Sequence, residues 1–310
     1  MTGFLARRAA LALPVLVGLL VAAFLLIRFV PGDPAKILLG IRASDEAVAA
    51  MRAHLALDDP LPSQFLVFLR GAVVLDFGSS IVHHAPVNSL LGPRILVTGG
   101  LLIYATVIAV LIAVPLGLFS ALRRNRLPDH LIRLFSMITF AMPAFWLGLV
   151  LILLFGLGLG LFPTSGLGRD PLDIPRRLTL PALTIGLYLA PVLLRTLRSS
   201  AIETMNLEFV EAARSRGLGE RRVVVRHVLR NSLIAMVTLL GVNIGFLLSG
   251  AVVVENVFGL PGLGSLLVSS IVARDFPVVQ ALVLVFGLGV ILVNLLTDLA
   301  YARLDPRVRL

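Results

Sequence analysis

Cysteine is absent from the 310 residues. That excludes a disulfide framework, a thiolate metal site and a cysteine nucleophile, and it leaves the redox compartment unreadable from this residue. Charge is scarce, at 14% Asp, Glu, Lys and Arg against about 25% in soluble domains. Hydrophobic residues reach 58%, where soluble domains hold about 45–50%, and the mean hydropathy is +1.00. These figures exclude an ordinary soluble enzyme and a disordered tail, and they describe a chain whose solvent is lipid. Lysine is almost missing. Lys36 stands alone beside 26 arginines, a bias we attribute to genome base composition. Because Lys36 sits in Ala35-Lys36-Ile37, the Gly-Lys-Ser/Thr end of a phosphate-binding P-loop cannot occur in this chain.

What is abundant is uncharged sequence. Six stretches lack Asp, Glu, Lys and Arg: Ala9–Ile27, Ile95–Leu122, Leu134–Gly168, Leu178–Leu194, Asn231–Val254 and Phe276–Thr297. A helix crossing about 30 Å of hydrocarbon needs about 17–25 apolar residues, so each stretch is read as one span. The third has length to spare, which Gly156, Gly158, Gly160 and Pro163 would use as a loop. Arg7 and Arg8 before the first stretch resemble a secretory leader, but no small-x-small cleavage site precedes Arg28-Phe29-Val30-Pro31, which favours an uncleaved first helix. The fold class expected is all-α and polytopic. Its segments are an N-terminal span (1–30), an external loop with short amphipathic helices (31–94), a membrane domain (95–300) and a tail (301–310). The membrane-domain helices are placed at about 95–122, 134–162, 178–197, 231–254 and 276–299.

The net charge of +10 and pI near 11.4 would suit a nucleic-acid binder if the charge formed a stripe. It does not. With the N-terminus inside, the inner segments hold 17 basic and seven acidic residues, while the outer segments hold ten of each. All of the excess lies on one side, as the positive-inside rule requires. Both termini and Arg195–Arg230 are therefore expected in the cytoplasm.

Several chemistries fail on placement. No charge falls within a stretch, which removes the intramembrane relay an ion-coupled transporter needs. All five histidines (His54, His83, His84, His130, His227) lie in loops, so neither an intramembrane protease nor a metal enzyme has its ligands or base at membrane depth. Nickel at His83-His84 is conceivable, although adjacent histidines are usually just solvated. A passive channel lacks repeated filter sequences. Polar groups that could line a path are Thr139, Tyr188, Asn243, Ser249 and Asn294. Asn243 and Asn294 rank first, because an amide in hydrocarbon needs a partner or water. Interhelical hydrogen bonds would satisfy them equally. Pro14, Pro115, Pro143, Pro181 and Pro191 are candidate kinks.

Two connecting segments are long enough to carry work. In 31–94, Ser44-Asp45-Glu46 reads as an N-cap leading into Ala47–Leu57. A second helix over Ser63–Val74 sets Phe65, Phe68 and Leu69 on one side, as an interfacial helix does. In Arg195–Arg230, the residues Ile202, Met205, Phe209 and Ala212/Ala213 recur at helical spacing. Gly217 then suits a left-handed cap, and a second basic helix follows over Glu220–Arg230. A rigid lever gripped by a soluble partner and a plain solvated basic loop fit that periodicity equally.

Here the sequence resembles a known family. Glu211-Ala212-Ala213-Arg214-Ser215-Arg216-Gly217 matches the EAA-x-x-x-G motif of ABC importer permeases. Arg216–Arg222 and His227–Ser232 resemble the dipeptide/oligopeptide/nickel branch. Further matches are Phe29-Val30-Pro31-Gly32-Asp33-Pro34, Met142-Pro143-Ala144-Phe145-Trp146-Leu147-Gly148, Glu255–Gly264, Arg274-Asp275-Phe276-Pro277 and the end Leu304–Leu310. Asp76-Phe77-Gly78-Ser79-Ser80 sits where the family has Gly-Asp-x-Gly-x-Ser, with Leu75 replacing the Gly. The general EAA consensus continues to Ile-x-Leu-Pro, where this chain has His227, Leu229 and Arg230 in the manner of the peptide branch.

The resemblance implies the type I importer fold in a multi-pass bacterial inner-membrane protein without catalytic or metal residues of its own. It implies partnership with a second homologous permease, two ATPase subunits that bind ATP and Mg, and an extracytoplasmic binding protein. The cargo implied is a di- or oligopeptide, with nickel, glutathione or another small solute open. Leu207, Phe209, Glu211, Ala212, Ala213, Arg216 and Gly217 would dock the ATPase. Glu255, Phe258, Pro261, Gly262, Gly264 and Asp275 would help close the outer face. Gly259, Gly262 and Gly264, with Pro261, would allow a sharp reversal there, though an inert connector fits the local sequence as well. Asn243, Asn294 and Tyr188 are the path candidates.

The charge asymmetry makes a direct prediction about topology. In intact cells, an impermeant thiol reagent should label Asp45→Cys and leave Ser215→Cys unlabelled. The opposite pattern would contradict the assignment.

Overall fold

The computed structural model describes residues 2–29, 35–36, 43–54, 58–168 and 170–304. The Val30–Pro34 part of the first family motif and the tail from Asp305 lie outside them. Among the described residues the chain is helical, with one isolated bridge between Ser79 and Pro86. In order the helices are α1 (Thr2–Phe29), α2 (Asp45–His54), α3 (Leu61–Val73), α4 (Val87–Leu122), α5 (Leu127–Ala141), α6 (Ala144–Leu151), α7 (Ile174–Met205), α8 (Glu208–Ser215), α9 (Glu220–Val223), α10 (Arg230–Val257), α11 (Leu263–Ala273) and α12 (Phe276–Leu304). Wider π-type turns extend α6 through Ile152–Gly158 and join α9 to α10 through Val224–Leu229.

Among the described residues, four stretches can cross a bilayer by length and composition: Val87–Leu122, Pro171–Met205, Glu220–Asn243 and Phe276–Thr297. The third uncharged stretch falls in a pair of helices, Leu127–Ala141 and Ala144–Gly158, bent by 107° at the kink expected at Pro143. The cause is local. Pro143 disfavours helical backbone at the residue before it, and Met142 is extended at φ −81°, ψ 132°. Pro143 then stands as N-cap of α6, where its missing N–H costs nothing. The other expected kink sites, Pro14, Pro115, Pro181 and Pro191, lie inside α1, α4 and α7 without ending them. The glycine-rich tail expected to be loop from Gly156 stays helical to Gly158. A whole helix, α11, occupies part of what the glycines and Pro261 suggested was only a turn.

The chain divides into two compact units. One comprises Met1–Val97 and Gly262–Ile291. Here the Gln280 amide donates to the Ala23 carbonyl across 2.9 Å, and Gly287 lies so close to the Leu19 side chain that a Cβ would force it to move. Phe24 sits against Phe65 and Phe68, with ring centroids at 5.2 and 5.8 Å. That contact fastens the amphipathic α3 to α1 and leaves Leu66 and Val67 exposed. Val87, Leu91, Leu263, Leu266, Val278 and Leu282 form its core.

The other unit, Thr98–Pro261 with Leu292–Leu310, is organised around α7. Two glycines let α4 and α7 approach closely, as small residues do between membrane helices. A Cβ on Gly186 would meet the Ala105 carbonyl at 3.1 Å, and one on Gly117 would meet the Leu194 carbonyl at the same distance.

Four helix ends share one solution. At α3, α8, α10 and α11 the chain turns through a left-handed residue, namely Leu75 (φ 58°), Gly217 (φ 76°), Gly259 (φ 58°) and Arg274 (φ 57°). In each, the next amide reaches back to a carbonyl five residues earlier, as in Asp76 to Gly71 at 2.8 Å and Leu260 to Glu255 at 2.8 Å. This is the Schellman arrangement, which satisfies carbonyls the helix would leave unpaired. Leu75 occupies the place where the resembling family carries glycine, and its backbone has the conformation glycine adopts freely. Leu75→Gly is therefore expected to leave thermal stability within about 1 kcal/mol, since lost strain offsets gained chain entropy. Leu75→Val, β-branched and poorly suited to this conformation, should destabilise by about 1–2 kcal/mol. Equal effects of the two substitutions would refute this account of the turn.

Candidate functional site

The segment between α7 and α10 forms a compact lever. Asn206 ends α7, Leu207 turns extended (φ −83°, ψ 144°), and α8 runs from Glu208 to Ser215. After Gly217, the Leu218 amide bonds the Ala213 carbonyl at 3.3 Å and the Gly217 amide bonds that of Arg214 at 2.9 Å. Nothing lies within 4 Å of a Cβ placed on Gly217. Glycine is needed there for its backbone conformation and not for room. Arg214 and Glu220 pair across this turn at 2.8 Å, and the guanidinium lowers the carboxyl's pKa. Both groups are exposed, so the pair contributes about 0–1 kcal/mol.

Val210 and Ala213 are buried against Ala121, Ala201, Val223 and Val228, flanked by Leu118, Ile202, Met205 and Leu218. This corrects the continuous face expected through Ile202, Met205, Phe209 and Ala212/Ala213. The break at Asn206–Leu207 resets the helical phase, so the inward residues of α8 are Val210 and Ala213. Leu207, Phe209, Glu211, Ala212 and Arg216 are exposed. Ala213, expected at the seat for a partner, instead secures α8 to its own chain.

One turn from this cluster lies an ion-pair network that sequence reasoning missed. Asp129 is fully buried. Its two oxygens accept from Arg198 Nε and Nη2, each at 2.7 Å, from Ser120 Oγ at 2.5 Å and from the Asn125 amide at 2.9 Å. Arg133 Nε stands 3.7 Å away. The fork of Arg198 matches the carboxylate geometry, the arrangement in which such pairs are strongest. α4, α5 and α7 are thereby joined at one end, with Ser120 beside Ala121 and Arg198 one turn before Ala201. Arg198 chiefly, helped by Ser120 and the Asn125 amide, holds the Asp129 carboxyl far below its ordinary value near 3.8 despite the opposing effect of burial. The available signal was Asp129 itself, the lone acid among Arg123, Arg124, Arg126 and Arg133.

The outer-face candidates fall in both units. Glu255 is buried and accepts from Thr98 Oγ1 at 2.6 Å. Phe258 is buried, and a Cβ on Gly148 would meet its ring at 3.2 Å. Gly259 carries the positive φ of that corner, whereas Gly262 is extended at φ −100° and caps α11, where Gly264 is buried within the first turn. The expectation that all three glycines supply the reversal is thus corrected to Gly259. Pro261 is exposed. Asp275 is buried and accepts from Ser80 Oγ at 2.5 Å and the Ile81 amide at 3.3 Å, while the His83 amide donates to Ser80 Oγ. His83 and His84 are exposed, and among the described residues no three potential metal ligands cluster.

The path candidates are not brought together. Asn243 spends its amide on the Leu239 carbonyl of its own helix, Asn294 is exposed, and Tyr188 stacks on Phe140 at 6.0 Å.

Residues 113–310 match the family described as binding-protein-dependent transport system inner membrane component, and residues 1–90 match its N-terminal companion. The chain belongs to this family. It is an inner-membrane permease of an ABC importer, in the peptide/nickel group. It is 39% identical over 309 residues to the glutathione transport system permease protein GsiC of Salmonella typhimurium LT2 and of Escherichia coli K12. In both cases 100% of this chain and 99% of the relative are covered. Among solved structures, the MetNI methionine ABC transporter matches with TM-score 0.58 at 17% identity, over 70% of this chain and 96% of that one. An amino acid ABC transporter with histidines matches with TM-score 0.52 at 18% identity, over 70% and 94%. These two establish the permease's fold.

Removing one side of the Asp129–Arg198 pair would leave a buried charge uncompensated. Asp129→Leu and Arg198→Met should each cost about 3–5 kcal/mol in denaturant unfolding of the detergent-solubilised permease, with much of the loss recovered when the two are combined. The depressed carboxyl stabilises the fold at every pH above its ordinary value near 3.8, and that contribution fades only as pH falls below it. Additive losses in the double variant would contradict a direct pair.

Proposed function

We propose that this permease pairs with a second, homologous one to form the path of an ATP-driven importer for short peptide-like solutes delivered by an extracytoplasmic binding protein. Glutathione, named for the relatives that cover the full chain, is a tripeptide and fits a di-/oligopeptide cargo better than nickel does. The lack of a P-loop lysine supports the reading that ATP and Mg are bound by partner ATPase subunits. The positive-inside asymmetry supports a cytoplasmic position for both termini and the α7–α10 segment.

One observation carries the reading. The α8 helix and its N-cap present Leu207, Phe209, Glu211 and Ala212 outward while Val210 and Ala213 fasten it to α4, α7, α9 and the π-type turn that leads into α10. A groove on an ATPase that grips the outward side therefore pulls on the membrane helices through a packed, short connection. Asp129, by tying α4, α5 and α7 together one turn away, makes that connection stiff. Of the candidates for the outer face, Glu255 and Phe258 are held in their unit by Thr98 and Gly148, and Asp275 is held in the other unit by Ser80.

The test is co-purification of the ATPase subunits together with glutathione uptake by proteoliposomes supplied with binding protein. Ala212→Trp, at an outward position, should lower both by about tenfold while the permease inserts normally. Wild-type docking and uptake by Ala212→Trp would contradict the coupling role. Uptake of nickel without glutathione or peptide would contradict the cargo.

A further inference from the structure

A cavity of about 270 Å3 opens between α5 and α7. Met137, Phe140, Val192 and Leu194 form apolar walls, and Arg133, Arg195 and Arg198 gather at one end. Arg198 is engaged with Asp129 at 2.7 Å; Arg133 Nε stands 3.7 Å from the same carboxylate, and Arg133 Nη2 lies 2.6 Å from His130 Nδ1. Arg133 and Arg195 are both exposed, and Arg195 makes no hydrogen bond or ion pair among the described residues.

Their places in the chain set their depth. Arg133 immediately precedes the uncharged stretch that begins at Leu134, and Arg195 immediately follows the one that ends at Leu194. Both guanidinium groups thus stand at the level where hydrocarbon gives way to headgroups, on the same side of the bilayer. Met137 and Phe140 lie one and two turns deeper on α5, and Val192 lies one turn deeper on α7. An occupant must present an apolar chain to the hydrocarbon-level walls and an anion to the arginines at the boundary. A peptide cargo meets the second requirement and not the first, and a zwitterionic lipid brings its own cation to a site that is already cationic.

We propose that this groove binds an anionic phospholipid of the inner leaflet, with an acyl chain against Met137, Phe140 and Val192 and the phosphate between Arg133 and Arg195. The leaflet follows from the orientation proposed above. Two fixed positive charges facing one lipid phosphate give selectivity for anionic over zwitterionic headgroups, as basic pockets at the cytoplasmic ends of membrane helices do. Bound there, the lipid would brace the same ends of α5 and α7 that Asp129 joins, so its presence would stiffen the segment from which α8 hangs.

The experiment uses the assembled importer in nanodiscs containing photoactivatable phosphatidylglycerol, or photoactivatable phosphatidylcholine with the same acyl chains. Crosslinks are mapped by mass spectrometry. Phosphatidylglycerol should label Met137, Phe140 or Val192 in preference to phosphatidylcholine. Arg133→Gln and Arg195→Gln should each reduce that labelling about fivefold, and Arg195→Lys should retain it. Unlabelled phosphatidylglycerol should compete, and inorganic phosphate should not.

Equal labelling by both lipids would overturn the proposal, as would full competition by inorganic phosphate or by a peptide cargo. Labelling seen in the isolated permease and lost in the importer would also overturn it, by showing the groove covered by a second subunit. Orientation is read separately from the thiol accessibility of Ser215→Cys. Failure there would move the site to the outer leaflet and overturn the leaflet assignment, while the crosslinks still report on binding.

Discussion

A carboxylate held away from water must find its counter-charge and its hydrogen-bond donors within the protein, or it will not stay charged. Asp129 meets that condition with donors from three places: Ser120 at the end of α4, Asn125 in the turn before α5, and Arg198 on α7. Because the bidentate fork of Arg198 fits the carboxylate in one geometry, the three helix ends have little freedom to slide against one another. Much of the unit that contains α7 is arranged around this fixed end. Gly117 and Gly186 bring α4 close to α7 at two further levels, beside Leu194 and Ala105, and α8 packs its inward face on Ala121 and Ala201, immediately beyond the clamp.

That arrangement separates two jobs within a short helix. α8 has only eight residues, too few to be stable by itself in water, so it must borrow stability from the body of the protein. Val210 and Ala213 do this, and the turn at Gly217 closes the end by satisfying carbonyls that would otherwise be lost. The outward residues are then free to be chosen for a partner. The same economy operates at the outer end of α10, where Gly259 turns the chain and Phe258 packs against Gly148. It operates again at Arg274, whose left-handed backbone carries Asp275 into the interior to meet Ser80.

Much of this was legible in the sequence. Charge-free runs located the membrane helices, and the side of the lever that turns at Gly217 followed from glycine's backbone freedom. The bend at Pro143 was legible in principle, since proline restrains Met142, but a run without charges reads as one span whether straight or broken. α11 was hidden because Gly259, Pro261, Gly262 and Gly264 dominate the local signal, although Leu263, Leu266, Leu267 and Ser270 already carry helical spacing. The inward turn of Ala213 could not be read, because helical phase is lost at Asn206–Leu207. Nor could the Asp129 network, since Arg198 lies 69 residues away and the positive-inside rule accounts for every arginine in that region without a partner.

The central claim is that force applied at α8 reaches the membrane helices through the clamp at Asp129. The number of solute molecules imported per ATP hydrolysed, measured in proteoliposomes with the complete importer, tests it most directly. Asp129→Asn keeps the shape of the side chain and removes its charge. The account predicts that this variant retains its ATPase subunits and their hydrolysis while the ratio falls well below that of the unaltered importer. An unchanged ratio with unchanged hydrolysis would show that the clamp carries no force.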